Sequence, residues 1–212
     1  DGSDISTGYS GSDWANLSSG AFAVLDDNEV NAEIYGYLYN WYAIDDSRGV
    51  CPEGWHVPSD SEYDELVNFL GGGGVAGGKM KEADSEYWAN PNEGATNESG
   101  FTARPGGYKR HDNGTYLNSQ ERAYFFTSTS HNESGSWIRR LDYNSNTVFR
   151  GIEDKERGMS IRCIESVLGC TDATACNYDD LANTNDGSCS YAEQNYDCAG
   201  NCTVELDECG VC

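Results

Sequence analysis

The clearest periodic pattern in the chain predicts a helix that begins near residue 60. Ser59 is a favourable N-cap, and Glu62 three residues later completes a capping box. Four apolar residues then recur at intervals of three and four, so they share one helical face. These residues are Tyr63, Leu66, Val67 and Leu70. The glycine run 71–74 favours the end of the helix, because glycine readily leaves helical geometry.

The rest of the hydrophobic pattern is typical of β-structure. An aromatic, partly alternating run over 34–43 predicts a strand before the helix. Four more strands are predicted after the helix, at 123–129, 136–141, 147–150 and 159–164. Short segments rich in Gly, Asn and Asp separate them, which favours antiparallel hairpins. One or two helices followed by an antiparallel meander predict an α+β domain.

Composition divides the chain into three regions. Residues 1–32 form an N-terminal extension rich in Ser, Gly, Asp and Asn. Residues 33–166 contain the basic residues and every tryptophan except Trp14. Residues 167–212 contain no Lys or Arg and form an acidic, cysteine-rich tail. The sequence therefore predicts one medium domain with an extension before it and a small appendage after it.

The charge balance excludes some classes of partner. The net charge is −23, from 36 acidic and 13 basic residues. Such a surface repels nucleic-acid phosphates and anionic lipid, so we expect no nucleic-acid partner. It favours divalent cations, basic partners or simple solubility. No apolar run is long enough to span a membrane, so direct membrane insertion is not expected.

Cysteine usage indicates an oxidising compartment. Seven of the nine cysteines lie between 170 and 212, where small segments without an apolar core are stapled by disulfides. These are Cys170, Cys176, Cys189, Cys198, Cys202, Cys209 and Cys212. We predict an irregular tail with at least two internal disulfides, in an extracellular or cell-surface protein. The odd total leaves a cysteine unpaired, paired between chains or paired with a segment outside this sequence.

Five separated motifs of the middle region resemble those of the Fibrobacter succinogenes major paralogous domain family. The motifs are YGYLYNWYA at 35–43, CPEGWHVPSD at 51–60, ATNESGFTA at 95–103, PGGY at 105–108 and SIRC at 160–163. The resemblance spans about 33–165 and departs from the family where TSTS occupies 127–130. It implies a C-type-lectin-like fold, shared with the formylglycine-generating-enzyme superfamily, and extracellular display. It implies no activity.

The tail resembles a second element, which recurs in secreted surface proteins of the Bacteroidetes type. The resemblance rests on GCTDATACNY at 169–178 and DGSC at 186–189. The segment DECGVC at 207–212 looks like the start of a further unit. We therefore expect the natural chain to continue past Cys212.

Cys51 and Cys163 are the only cysteines of the middle region, and each lies inside a motif of the resembled family. We predict that they form a disulfide; the alternative is two buried free thiols. Formylglycine-generating enzymes instead use a redox-active cysteine pair late in the fold, where this chain offers only Cys163. Neither a G-x-S-x-G nor an H-E-x-x-H motif is present. The spacing of the three histidines suggests neither a metal site nor an acid–base site. No enzymatic activity is therefore expected.

Calcium and glycans are open alternatives as ligands. Calcium-dependent lectins carry Glu-Pro-Asn or Gln-Pro-Asp, whereas the nearest segment here, NPNE at 90–93, lacks the leading carboxylate. The tail offers hard oxygen ligands, although an EF-hand register fails because Ala182 and Thr184 would fall at ligand positions. The candidate calcium ligands are Asp172, Asn177, Asp179, Asp180, Asn183, Asn185 and Asp186. The alternative is a solvated acidic segment held by disulfides.

Five Asn-x-Ser/Thr sequences make glycosylation a further possibility. They begin at Asn16, Asn97, Asn113, Asn132 and Asn201. The spacing Cys209-x-x-Cys212 is compatible with zinc, but a disulfide is favoured in an extracellular chain.

The leading functional hypothesis is a non-catalytic structural or adhesive surface protein that self-assembles into a filament. In this hypothesis Phe22, Val24 and Leu25 anchor the N-terminal extension along a neighbouring subunit as an added strand. The competing structural explanation is that the extension folds back as the first strand of its own domain. The alternative function is a lectin-like module that binds glycans or calcium.

Overall fold

A computed structural model describes residues 5–83 and 86–204 of the chain. The chain divides into two compact units, Asp1–Ile164 and Glu165–Cys212. The helices are α1 (Gly11–Trp14), α2 (Val30–Tyr35), α3 (Trp41–Ile44), α4 (Asp60–Phe69) and α5 (Ala76–Met80), with a 3₁₀ turn at Leu25–Asp27. The strands are β1 (Phe22–Val24), β2 (Tyr37–Tyr39), β3 (Trp55–His56), β4 (Tyr108–Lys109), β5 (Tyr116–Leu117), β6 (Arg122–Ser130), β7 (Gly135–Asp142), β8 (Val148–Asp154), β9 (Ile164–Glu165), β10 (Leu168–Gly169) and β11 (Thr184–Asn185).

Helix α4 confirms the strongest prediction from the sequence. The Ser59 side chain accepts a hydrogen bond from the Glu62 backbone N–H, and the Glu62 carboxylate accepts one from the Ser59 N–H. This reciprocal capping satisfies two N–H groups that the first turn would otherwise leave unpaired. Tyr63 and Val67 are buried on the apolar face, and the following Leu70 is buried too.

A three-stranded antiparallel sheet in the order β6-β7-β8 forms the centre of the first unit. Alternate residues of β6 face opposite sides, as the pleat of a strand requires. Phe125 packs with Tyr63 and Leu141 in one apolar cluster. Phe126 packs in a second cluster with Trp41 and Ile138. The core therefore has two layers with β6 between them, and the α+β prediction is confirmed at the level of mixed helices and antiparallel strands.

Two predicted strands are wrong in detail. The run 34–43 is divided among α2, β2 and α3, because Gly36 adopts a positive φ of 75° and Asn40 caps α3 through the Ala43 N–H. The run 159–164 makes only isolated bridges before β9. The predicted count of one or two helices is also too low for the described residues. Four of the helices have four to six residues, which is too short for a periodic pattern.

The N-terminal extension belongs to the first unit, so a boundary near residue 32 does not separate packing units. Trp14 is 1% exposed, and its Nε1–H donates to the Glu156 carbonyl at 2.9 Å. The buried Asn40 side chain also binds the backbone of the extension, at Ala21 N–H and at the Ser19 carbonyl. The composition of the extension does not indicate these contacts of Trp14 and Asn40 with the rest of the domain.

Strand β1 pairs with β2 of the same chain, with Phe22 opposite Tyr39 and Val24 opposite Tyr37. Val24 is 5% exposed and Leu25 is 2% exposed, while Phe22 is half-buried. Both side chains are thus buried within their own domain, and their use as anchors on a neighbouring subunit stays a prediction. The fold-back alternative describes the extension, because its apolar residues find a partner strand within their own domain.

Three disulfides join described cysteines. The predicted Cys51–Cys163 bond is present, with the Cα atoms 5.8 Å apart. In the second unit the bonds are Cys170–Cys189 and Cys176–Cys198. Cys202 is also disulfide-bonded, whereas Cys209 and Cys212 lie outside the described residues. The prediction of an irregular tail with at least two internal disulfides is confirmed, since β10 and β11 have only two residues each.

An ion-pair network fixes α4 on the central sheet. The Asp60 carboxylate accepts hydrogen bonds from Arg139 Nη1 at 2.6 Å and from Arg150 Nη2 at 2.6 Å. Arg139 is buried and also donates to Asp64 at 2.7 Å. Burial alone raises the pKa of Asp60, but the hydrogen bonds from Arg150 and Arg139 outweigh it and hold the pKa below its usual range.

This network predicts an acid-sensitive contribution to stability. Because the folded pKa of Asp60 is depressed, its contribution is complete above the unfolded value of about 3.9 and is lost as pH falls through the folded pKa. We expect Asp60→Asn to flatten the fall of the unfolding free energy below about pH 4. Urea unfolding at stepped pH measures this. Glu98→Gln, at an exposed pair with Lys79, is the control, and an unchanged profile in Asp60→Asn contradicts the assignment.

Candidate functional site

The first unit contains an open cleft of about 620 Å³, here called the tyrosine cleft. It lies where α2 and β2 approach the segment 160–163. The residues that line it are Ala32, Glu33, Ile34, Tyr35, Gly36, Tyr37, Tyr39, Val50, Gly100, Phe101, Thr102, Arg104, Phe125, Ser160, Ile161, Arg162 and Cys163. Its volume is within the usual range of small-molecule sites.

Three tyrosines form one wall of the tyrosine cleft. Tyr37 and Tyr39 alternate with buried Leu38 along β2, so both rings leave the strand on the same side. Tyr37 is 40% exposed and packs edge-to-face on Phe22, with the ring centres 4.9 Å apart. Tyr35 reaches the cleft from the end of α2. The wall thus exposes aromatic surface to solvent, and the residues behind it are packed.

The hydroxyls of Tyr35 and Tyr39 are neutral donors near pH 7. Burial raises the pKa of Tyr35, and the neighbouring Tyr87 raises it further. Burial also raises the pKa of Tyr39, with a smaller effect from Tyr37. These phenols can therefore donate and accept hydrogen bonds beside their ring faces.

Two arginines line the cleft, but they are engaged differently. Arg104 binds the Glu82 carboxylate with Nη2 at 2.8 Å and donates Nη1 to the Ile34 carbonyl at 2.9 Å. Arg162 donates Nη2 to the carbonyls of Phe101 and Thr102, at 3.2 and 3.1 Å, and makes no ion pair with a described carboxylate. Arg104 supports the wall, whereas Arg162 has no carboxylate partner within 5–83 and 86–204.

The segment 90–93, compared above with a lectin calcium loop, is held by an internal ammonium group. Lys81 is 0% exposed, and its Nζ donates to the carbonyls of Glu93, Asp142 and Ser145 at 2.8, 3.0 and 3.0 Å. Burial lowers the pKa of Lys81 to about 8, so the group is still protonated at pH 7. The Glu93 carbonyl is therefore occupied by a side chain of the chain itself.

Six of the seven predicted calcium ligands of the tail accept hydrogen bonds from backbone N–H groups. Asp172 Oδ1 accepts from the Thr174 N–H at 2.8 Å, Asn177 Oδ1 from the Ser190 N–H at 2.7 Å and Asp186 Oδ1 from the Ser188 N–H at 2.8 Å. Asp179, Asn183 and Asn185 likewise accept from backbone N–H groups. Within 5–83 and 86–204, no cluster of three His, Cys, Asp or Glu side chains suited to a metal was found. Calcium binding stays a prediction.

The predicted glycosylation positions are scattered over the described surface. Asn16, Asn113, Asn132 and Asn201 are exposed, whereas Asn97 is half-buried and exchanges hydrogen bonds with Thr102.

None of the described helices is long and apolar enough to cross a membrane.

Sequence analysis missed the tyrosine cleft and Arg162. Tyr35, Tyr37 and Tyr39 were visible only as part of a predicted strand, and Arg162 only as part of the SIRC motif. The one available signal was the number of tyrosines in YGYLYNWY at 35–42. A short buried strand does not require so many tyrosines. No local signal brings that segment together with residues 160–163.

Comparison with known proteins adds one finding. The family model of the Fibrobacter succinogenes major domain (Fib_succ_major) matches residues 1–165. This match includes the N-terminal extension and ends one residue after the first compact unit. No curated protein and no solved structure matches the chain.

Proposed function

Because the chain belongs to the Fibrobacter succinogenes major domain family, we propose that its first unit is a non-catalytic extracellular adhesive domain that binds glycans in the tyrosine cleft. The observation that carries this proposal is the wall of Tyr35, Tyr37 and Tyr39 in an open cleft of about 620 Å³. A lectin-like fold, implied by the resemblance of the motifs, is part of the proposal.

The chemistry of the wall suits a sugar. Carbohydrate rings carry apolar C–H faces and polar hydroxyl edges, and tyrosine offers a flat apolar face with a polar tip. The edge-to-face packing of Tyr37 on Phe22 limits the motion of the Tyr37 ring, so less conformational entropy is lost when a ligand binds.

The lining also favours binding over hydrolysis. Glycosidases generally need two carboxylates on either side of the scissile bond. Among the described residues that line the tyrosine cleft, Glu33 contributes the one carboxylate, and the Cys163 sulfur is in a disulfide. An extracellular setting is supported by the disulfides, which are typical of oxidising compartments.

A glycan array with purified protein tests this proposal. We expect Tyr37→Ala to weaken binding of the retained glycan about tenfold, as for an aromatic residue at a binding centre. Tyr178→Ala replaces a tyrosine of similar exposure in the second unit and should leave the affinity unchanged. Thermal melting of both variants checks that they are folded.

Two results contradict the proposal. One is the failure of every neutral and acidic glycan class to bind. The other is cleavage of a bound oligosaccharide, detected by mass spectrometry, because it would show an enzyme. Self-assembly into a filament stays a separate prediction, and sedimentation at increasing protein concentration tests it.

A further inference from the structure

A second concavity of about 340 Å³ adjoins the tyrosine cleft and is here called the apolar pocket. Its lining consists of Pro58, Glu62, Tyr63, Leu66, Phe101, Arg162, Cys163 and Ile164. Phe101, Arg162 and Cys163 line both concavities. Most of the lining is apolar, and polar groups are few, as is typical of sites that fix a small molecule by one charged end.

Arg162 is the cation that this pocket offers. Every other described arginine pairs with a carboxylate, in a chain with 36 acidic residues. Arg162 instead packs its guanidinium 5.1 Å from the Phe101 ring centre and donates Nη2 to backbone carbonyls. Its Nε and Nη1 groups donate to no residue within 5–83 and 86–204, so a carboxylate can still bind there.

Tyr63 supplies a second unused donor. The residue is 1% exposed, and its hydroxyl has no hydrogen-bond partner among the described residues. Burial raises the pKa of Tyr63, and the charge of Arg162 opposes that rise, so the hydroxyl is a neutral donor that interacts with Arg162. A buried hydroxyl without an acceptor is costly, which is a reason to look for a ligand oxygen at this position.

We propose that the apolar pocket binds a small monocarboxylate with an apolar body. The carboxylate pairs with Arg162 and accepts a hydrogen bond from the Tyr63 hydroxyl. The apolar body packs on Leu66, Phe101 and Ile164. This site goes beyond the proposed function, because Tyr63, Leu66 and Ile164 do not line the tyrosine cleft.

The other charges around the pocket are compatible with this ligand. The Glu62 carboxylate is engaged by the Ser59 N–H at 2.8 Å and by His56 Nε2 at 3.0 Å. The net charge of −23 repels anions at long range, but salt at about 0.15 M screens exposed charges beyond about 8 Å. Binding is therefore best measured at that ionic strength.

Benzoate and benzamide are matched probes, because they share a ring and differ in charge. Ligand-observed NMR titration of the full chain should show saturable benzoate binding and at least about tenfold weaker benzamide binding. Arg162→Gln should weaken benzoate binding at least about tenfold. Arg110→Gln, at an exposed arginine paired with Asp112, should leave it unchanged.

Tyr63→Phe separates a binding role from a structural one. Removing an unpaired buried hydroxyl should weaken benzoate binding severalfold while leaving the melting temperature equal or higher. Leu66→Trp should fill the pocket and abolish benzoate binding without changing the affinity for glycans. Tyr37→Ala should weaken glycan binding without changing the affinity for benzoate, so failure of this proposal is distinguishable from failure of the proposed function.

Four outcomes overturn the proposal, and the first three concern charge recognition. They are the absence of saturable benzoate binding by the folded wild-type chain, equal affinities for benzoate and benzamide, and unchanged benzoate affinity in a folded Arg162→Gln variant. Benzoate binding that survives in a folded Leu66→Trp variant would also place the ligand elsewhere.

Discussion

Replacing Cys51 and Cys163 together with alanine is expected to lower the free energy of unfolding of the first unit by about 4–5 kcal/mol. The bond joins residues 112 positions apart, from the segment before α4 to the end of the unit. In the chain-entropy model such a long loop strongly restricts the unfolded ensemble, and its loss removes that restriction. Urea unfolding followed by tryptophan fluorescence measures the change, because all five tryptophans lie in the first unit.

The matched control is the pair Cys170→Ala and Cys189→Ala. This bond lies in the second unit and joins residues 19 positions apart. Its loss should leave the fluorescence transition of the first unit unchanged. A loss of less than about 1 kcal/mol in the Cys51 and Cys163 double variant would show that the bond does not constrain the unfolded chain as argued.

Lys81→Met is expected to destabilise the first unit by about 3 kcal/mol. Methionine retains the length and apolar stem of the lysine but cannot donate to the carbonyls of Glu93, Asp142 and Ser145. Glu93 lies in the loop 89–97, whereas Asp142 ends β7 and Ser145 lies in the turn after it, so the ammonium group joins two distant segments. Leaving buried acceptors unpaired costs free energy that the apolar side chain does not restore. Urea unfolding measures the difference.

Lys79→Met provides the comparison for this prediction. Lys79 lies two residues earlier and pairs at 3.5 Å with the exposed Glu98, a contact worth about 0–1 kcal/mol. Near-equal unfolding free energies for the two variants would contradict the role assigned to Lys81. Proteolysis within 89–97 is a second measure, since the loop should open more often in Lys81→Met.

The fold was predictable where short-range signals agree. Ser59, Glu62 and the apolar spacing of α4 all indicate the same helix, and the long strand β6 contains a clear run of aromatic residues and threonine. The prediction of one strand over 34–43 was wrong because Gly36 and Asn40 interrupt an aromatic pattern that otherwise favours a strand. The polar composition of the N-terminal extension predicted a segment outside the domain. In the structure Trp14 is buried and β1 pairs with β2, and composition does not indicate either contact.

The candidate sites were harder to predict, because they depend on contacts between distant segments. Tyr37 and Arg162 are far apart in sequence, and both line the tyrosine cleft. No sequence pattern indicated that the Tyr63 hydroxyl is unpaired among the described residues, since Tyr63 also fits the apolar face of α4. The Cys51–Cys163 pair was predictable because no other cysteine lies in the middle region.

The central claim is that the tyrosine cleft binds a glycan without changing it. Chemical-shift mapping of the ¹⁵N-labelled chain, titrated with the oligosaccharide retained most strongly on the array, tests this most directly. We predict shifts concentrated at Tyr35, Tyr37, Tyr39 and Arg162, with the oligosaccharide intact after prolonged incubation. Shifts concentrated in the second unit, or on the face of the sheet formed by β7 and β8, would contradict the claim.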